Sequence, residues 1–316
     1  MILSKYPLLF LVALLWLPGG CQSETKPEVS SHSEATSHES PKKEARVLTP
    51  EFKAYWYAGV AELSSYDLEQ ARYGETRDGE AVLIYVTEPF DLEKQVKAER
   101  KGPMTTSVMK LNRVRKFLTG VYPYSIMSSI FYPVSDNQHA LKLTPSVQEW
   151  CGHVYAQLNN RESFQVRSHS YFEGEADQDL DLPKTLLEDE LWTRLRFEPD
   201  ALPTGKTILV PSLEYLRLKH KPIKAYEATL TLSKPGGTRT YTLTYPELNR
   251  TLEIYFQGTF PYRIEGWSET HPTGFDPGSP VITSTARRKE TLLTPYWRKN
   301  ANSDVSLRDT LGLSMK

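Results

Sequence analysis

The chain has 316 residues, with 38 Lys and Arg against 39 Asp and Glu, a formal charge of −1. Apolar side chains make up 39% and charged ones 24%, an ordinary globular balance that excludes a mainly disordered chain, a collagen and a multi-span membrane protein. Without a basic excess, nucleic acid is not an expected partner.

Lys5 precedes an unbroken apolar run at residues 8–17. Ten residues fall short of the about 20 that span a bilayer and match the core of a signal peptide. Leu17-Pro18-Gly19-Gly20-Cys21 follows, a lipobox-like sequence that departs from the pattern in having Pro18 three places before the cysteine. Residues 1–20 are therefore read as a lipoprotein signal peptide and Cys21 as the lipidated residue. Each buried CH₂ of an attached chain contributes ~0.8 kcal/mol, so several acyl chains on Cys21 would hold the protein on a membrane. Cys151 is then the remaining thiol, and the fold must rest on its core without a disulfide.

Residues 21–50 are rich in Ser, Glu, Lys, Thr and Pro and poor in large apolar side chains, which predicts a flexible tether. His32 and His38 lie in it and are read as solvated. A single β-rich domain is expected over 51–316, with 271–316 as a tail packed on it. Thr49-Pro50-Glu51 opens a short helix through Phe52, Tyr55 and Trp56 that stops at Gly59. Strands at 61–73 and 80–88 flank Asp78-Gly79, a hairpin signal. Strands follow at 108–119 and 121–133. In the second, Tyr122, Tyr124, Ile126, Ser128, Ile130 and Tyr132 share one face.

Residues 147–158 and 163–173 are expected to form a further hairpin around 159–162. An amphipathic helix is predicted from Pro183 to Pro199, with a Leu187, Leu191 and Leu195 stripe and Trp192 beside it. Later strands are expected at 207–210, 213–219, 224–233, 239–246, 250–257, 260–268 and 281–293. Residues 296–313 should cap the sheet. The pattern predicts a mainly β (α+β) fold, a large curved antiparallel sheet or half-barrel around one amphipathic helix. A two-sheet sandwich is the alternative.

Glu149-Trp150-Cys151-Gly152-His153 is the most reactive-looking stretch. On a strand, Glu149, Cys151 and His153 would share a face at ~7 Å spacing, and a Cys–His pair can make a thiolate nucleophile. A three-residue loop at 159–161 would place His169 opposite Cys151; one residue more or fewer turns it away. A small buried thiol beside a hydrogen-bonded His is the plainer reading. Asp177, Asp179 and Asp181, with Glu188 at the twelfth position, resemble a calcium loop, but Leu182 stands where the sharp turn needs Gly. A solvated acidic strand end fits better. Gly205-Lys206-Thr207 is followed by a strand and reads as a turn, and G-x-S-x-G, H-E-x-x-H and paired C-x-x-C motifs are absent. No cofactor is implied. The 18 Tyr and 6 Trp could line a groove or pack a sheet face; Tyr122, Tyr124, Tyr132 and Trp150 are the candidate ligand-binding side chains.

Tyr55 to Gly59, Leu68 to Gly74, Gly120 to Asn160, Ser168 to Asp177 and Asn302 to Leu313 resemble a family of uncharacterised bacterial lipoproteins over most of the chain after the tether. The resemblance implies no established activity and no assigned catalytic residues. Some members carry the label septum formation inhibitor Maf; the Ser-x-Ser-Pro-Arg-Arg motif of the nucleotide pyrophosphatases of that name is absent here. The order of elements is similar to the open-barrel fold of periplasmic lipoprotein carriers, an analogy of architecture alone. The expectation is a non-enzymatic envelope lipoprotein on the outer membrane, binding a lipid, lipoprotein, glycan or envelope protein. The alternative is an envelope hydrolase using Cys151 with His153 or His169.

Overall fold

The computed structural model describes residues 45–136, 138–274 and 278–314, all within one compact unit, Lys43–Lys316. The expected signal peptide at 1–20, Cys21, His32 and His38 lie outside the described residues. The chain runs α1 (Pro50–Trp56), β1 (Ala61–Arg72), β2 (Glu75–Asp91), β3 (Val96–Lys97), β4 (Thr105–Thr119), β5 (Tyr122–Pro133), β6 (Lys142–Glu149), β7 (Gly152–Asn160), β8 (Phe164–Ser170) and β9 (Gln178–Leu182). It continues with β10 (Leu186–Leu187), α2 (Glu188–Arg194), β11 (Gly205–Val210), α3 (Leu213–Leu218), β12 (Tyr226–Leu232), β13 (Thr238–Tyr245), β14 (Arg250–Gln257), β15 (Ile264–Pro272), β16 (Val281–Thr294) and α4 (Leu307–Thr310).

Mainly β is the observed class, and the sixteen strands form one open sheet, so the sandwich is set aside. Most sequential strands pair as antiparallel neighbours, β10 lies parallel to β11, β3 pairs with β2 alone, and β16 returns to pair with β1. The two edges are β9 and β10, which are consecutive in the chain. From Leu182 to Leu186 the backbone reaches at most about 14 Å, so the sheet curls until its edges approach.

Period-two alternation decides which side of the sheet is wrapped inward. On β5, Tyr124, Ile126, Ser128, Ile130 and Tyr132 are buried, the face that the sequence grouped together. On β4 the inward residues are Met109, Leu111, Arg113, Arg115 and Phe117. Leu191, Trp192 and Leu195 from and after α2, Leu213 and Leu216 of α3, and Phe52 and Trp56 of α1 join them in one core. Each large apolar side chain so buried contributes about 1.5–3 kcal/mol. Helix α1 starts as expected: Thr49 Oγ1 accepts from Phe52 N at 3.1 Å, with Pro50 in the first turn.

Four expectations need correction. The first hairpin turns at Tyr73-Gly74, both at positive φ (55° and 80°), while Gly79 lies inside β2 between Leu68 and Phe117. A Cβ on Gly79 would meet Lys116 O at 2.4 Å, so glycine is required there by the close backbone and not by a turn. The predicted strand 147–158 is two strands, β6 and β7, joined at Trp150-Cys151. The predicted strand 213–219 is helix α3, whose residues are almost all buried against the sheet. The predicted helix 183–199 is helical only from Glu188, because Leu186-Leu187 pairs in parallel with Leu209-Val210 of β11.

The outer face of β1, β2 and β4 is not left to solvent. Residues 296–313 lie over it, and Leu311, Leu313 and Tyr296 form a second core with Ala61, Leu63, Ile84, Val86 and Leu292. Ser65 Oγ donates to Leu311 O at 2.5 Å and Lys289 Nζ to Gly312 O at 2.8 Å, fastening the tail to β1 and β16. No helix among the described residues is long and apolar enough to cross a membrane.

Candidate functional site

A cavity of about 290 Å³ opens between the inner face of β6–β9 and helix α3. Its floor is made by inward positions of adjacent strands: Pro145 and Val147, Val154 and Ala156, Ser168, and Leu180. Apart from Leu180 these side chains are short, and open space is left between them and α3. Leu213 and Leu216 close it from the helix side, and Ile223 follows in the connection to β12. The volume lies near the lower end of ordinary ligand sites, and the mostly apolar lining is typical of them.

The charged groups gather at one side of this groove. Glu175, from the β8–β9 connection, accepts from Arg217 Nη1 at 3.0 Å and Ser170 Oγ at 2.7 Å, and His220 Nδ1 lies 2.6 Å from it. The Arg217 guanidinium sits 4.3 Å above the Phe172 ring. Burial pulls the Arg217 pKa below its ordinary value, and Glu175 opposes that shift. Burial, with Arg72 and Lys221 nearby, takes Lys219 down to about 8 despite Glu269. Arg72 donates to Leu218 O at 2.6 Å, tying the end of α3 to β1.

Beside the groove runs an aromatic rim built from neighbouring hairpin turns. Tyr73 and Tyr124 share a hydroxyl contact of 2.7 Å, Tyr122 Oη reaches Tyr73 Oη at 3.4 Å, and Tyr122 stacks on Trp150 at 6.3 Å. Trp150 is 69% exposed. Gly152 leaves room for Tyr171, whose ring would lie 2.9 Å from any Cβ there. Of the four aromatic candidates, Tyr122, Tyr124 and Trp150 are thus brought together. Tyr132 is elsewhere, buried 6.0 Å from Phe197.

The thiol and the histidines are kept apart. Cys151 is exposed on the β6–β7 turn, and its backbone N–H donates to Glu149 Oε2 at 2.6 Å. A hydrogen bond from the thiol to that carboxylate, more than burial, raises its pKa. His153 pairs opposite Gln148, and His169 opposite Tyr155 rather than Cys151. Four residues of strand separate those two positions, ~13 Å. Both histidines point outward, and His169 lies 3.3 Å from Asp177. The thiolate therefore has no imidazole beside it. Asp177, Asp179 and Asp181 are also divided: Asp179 pairs with Arg167 at 3.2 Å and Asp181 accepts from Ser163 at 2.7 Å. Among the described residues no three His, Cys, Asp or Glu side chains gather as metal ligands.

Sequence reasoning missed the charges inside the sheet. Arg113 donates to Asp189 (2.9 Å), Ser212 (2.9 Å) and Glu214 (3.2 Å), and Ser128 donates to Glu214 at 2.8 Å. Arg115 pairs with Glu214 and donates to Gln70 at 2.8 Å. Arg250 grips Glu188 at 2.5 and 2.7 Å and Glu269 at 2.7 Å, and Tyr245 donates to Glu188 at 2.6 Å. Burial would raise the Glu269 pKa, but Arg250, His271 and Arg115 outweigh it and hold the carboxyl at about 2. These contacts bolt α2 and α3 to the sheet and so fix the roof of the groove. The available signal was two arginines at alternate positions on an otherwise apolar strand face.

Comparison of the chain with protein-family models, with curated proteins and with solved structures finds no match.

Proposed function

We propose that this is a lipid-anchored envelope protein that holds an apolar ligand in the groove beneath α3 and performs no bond-breaking. The observation that carries this reading is the apolar cavity of about 290 Å³ between α3 and the short side chains of β6–β9. The aromatic rim supports it, since Tyr and Trp combine contact area with a polar tip. The lipobox at Cys21, the tether and the resemblance to bacterial lipoproteins support an anchor in the outer membrane. The hydrolase alternative gains nothing from a thiol that faces a carboxylate.

The binding test uses a neutral single-chain probe, a pyrene-labelled alkanol. Saturable binding with a blue-shifted emission is expected, and it should weaken in Ala156→Phe, which fills the groove, at unchanged melting temperature. Absence of saturable binding by the folded wild type removes the reading. The anchor is tested separately, by incorporation of labelled palmitate in cells and its loss in Cys21→Ser.

A further inference from the structure

The groove has a direction. Its depth is apolar, and its cations stand together at the side where α3 ends. We infer that it takes a long-chain carboxylate, with the chain against Val147, Val154, Ala156 and Leu216 and the head on Arg217 and Lys221. This rests on the groove being a binding site, as proposed above, and adds what it selects.

Two donors ask for such a head. Arg217 has a side chain only 9% exposed, and its Nε is buried without a hydrogen-bond partner among the described residues. A buried donor left unpaired is costly, and a guanidinium has five donors whose fork geometry matches a carboxylate. Glu175 takes one of them, at Nη1. Lys221 lines the same groove and has no ion-pair partner among the described residues. The local balance is also positive. Arg72 repels Arg217, and Arg72 and Lys221 repel Lys219, while the carboxylates acting on Arg217 are Glu175 and Glu149. Glu269 also acts on Lys219, but it is already held by Arg250 at 2.7 Å. A neutral hydroxyl would meet the Arg217 Nε with a single uncharged hydrogen bond, weaker than a carboxylate's charge-assisted pair, and a cationic head would be repelled. Ser170, Arg217 and His220 already converge on the Glu175 carboxylate, so the chemistry of the spot suits that group.

The test measures binding of four twelve-carbon probes below their micelle concentrations: dodecanoate, dodecanol, dodecyl phosphate and dodecyltrimethylammonium. Calorimetry or Trp fluorescence of the full-length protein gives the affinities. Dodecanoate should bind about tenfold or more tighter than dodecanol, the scale of one or two charge-assisted hydrogen bonds. The margin should shrink in Lys221→Gln, a partly exposed position, and vanish in Arg217→Gln, while dodecanol binding stays as it was. Melting curves confirm that both variants fold. Equal affinity for the alcohol and the acid overturns the inference and leaves the groove reading intact. Failure of all four probes overturns the groove reading itself. Tighter binding of dodecyl phosphate than of dodecanoate overturns the carboxylate assignment in favour of a phosphate head.

Discussion

Arg113 on β4 and Glu214 on α3 meet at 3.2 Å inside the sheet, with side chains 6% and 1% exposed. Arg115 reaches the same carboxylate from two residues away. A buried pair gives little net stability over an apolar substitute, but removing one partner strands the other, at about 3–5 kcal/mol. Glu214→Ala is therefore expected to cost about that much in urea unfolding, and more than any surface Glu→Ala. Replacing Glu214 by Leu together with Arg115 by Met, with Arg113 left on Asp189, should recover part of the loss. If Glu214→Ala unfolds at the wild-type urea concentration, the ion pairs do not hold α3 in place.

The difference between what the sequence disclosed and what it hid follows from how far each signal reaches. On β5, the inward set from Tyr124 to Tyr132 could be read because period two needs only neighbours in the chain. The Asp78-Gly79 hairpin signal was just as local, and it was outvoted by pairing of β2 with β1 on one side and β4 on the other. Residues 213–218 carry a partly alternating pattern, and burial of nearly the whole segment turned them into a helix. The partners of Arg113 are 76 and 101 residues away, beyond any local pattern. The Cys–His reading depended on register, and a turn at Trp150-Cys151 removed the strand it needed. A concavity was expected, but one lined by Tyr, and the groove itself has no Tyr or Trp in its lining. Its lining comes from four strands and a helix that the sequence took for a strand.

Acid should loosen this protein through its interior. The folded pKa of Glu269 is about 2 against an ordinary 4.5, and that of Glu62, paired with Arg196 at 2.8 Å, is also lowered. A carboxyl whose pKa is depressed by folding contributes stability above its unfolded pKa and loses it as the pH falls toward the folded value. Unfolding free energy should begin to slip below about pH 6.5, where the buried His271, its pKa lowered chiefly by burial, resists protonation in the folded state, and should fall further between about 4.5 and 2, with Glu269 responsible for about 3 kcal/mol. Urea melts at a series of pH values, with Glu269→Gln beside the wild type, read this directly. The variant should start less stable and lose less on acidification. A wild-type curve that stays flat to pH 2 would contradict the shift.

Cys151 provides a probe of whether any cysteine chemistry exists. It is exposed, so a maleimide should label it without denaturant. The thiolate is the reacting form, and the Glu149 carboxylate disfavours it, so labelling near neutral pH should be slower than for a free thiol and should climb as pH rises. Glu149→Gln should speed the reaction. His153→Ala and His169→Ala should leave its rate unchanged, since neither ring is among the groups that shift the thiol. Fast labelling at pH 7 that collapses in either His variant would revive the hydrolase.

The tight approach at Gly79 gives the sharpest test of the sheet register. In a hairpin turn, Gly79→Ala would strain a positive φ at modest cost; inside β2 it must push a methyl into Lys116 O, and a carbonyl of a paired strand cannot swing aside. Overpacking of this kind costs about 1–3 kcal/mol. By contrast, Gly74 has open space around a would-be Cβ but a φ of 80°, so Gly74→Asn, which tolerates that backbone, should be mild. Thermal melts of the two variants separate the readings. The structure requires Gly79→Ala to be the more damaging, with amide exchange accelerated on β4 around Lys116. The reverse order would place the turn at Asp78-Gly79 and shift the register of β2 against both of its neighbours.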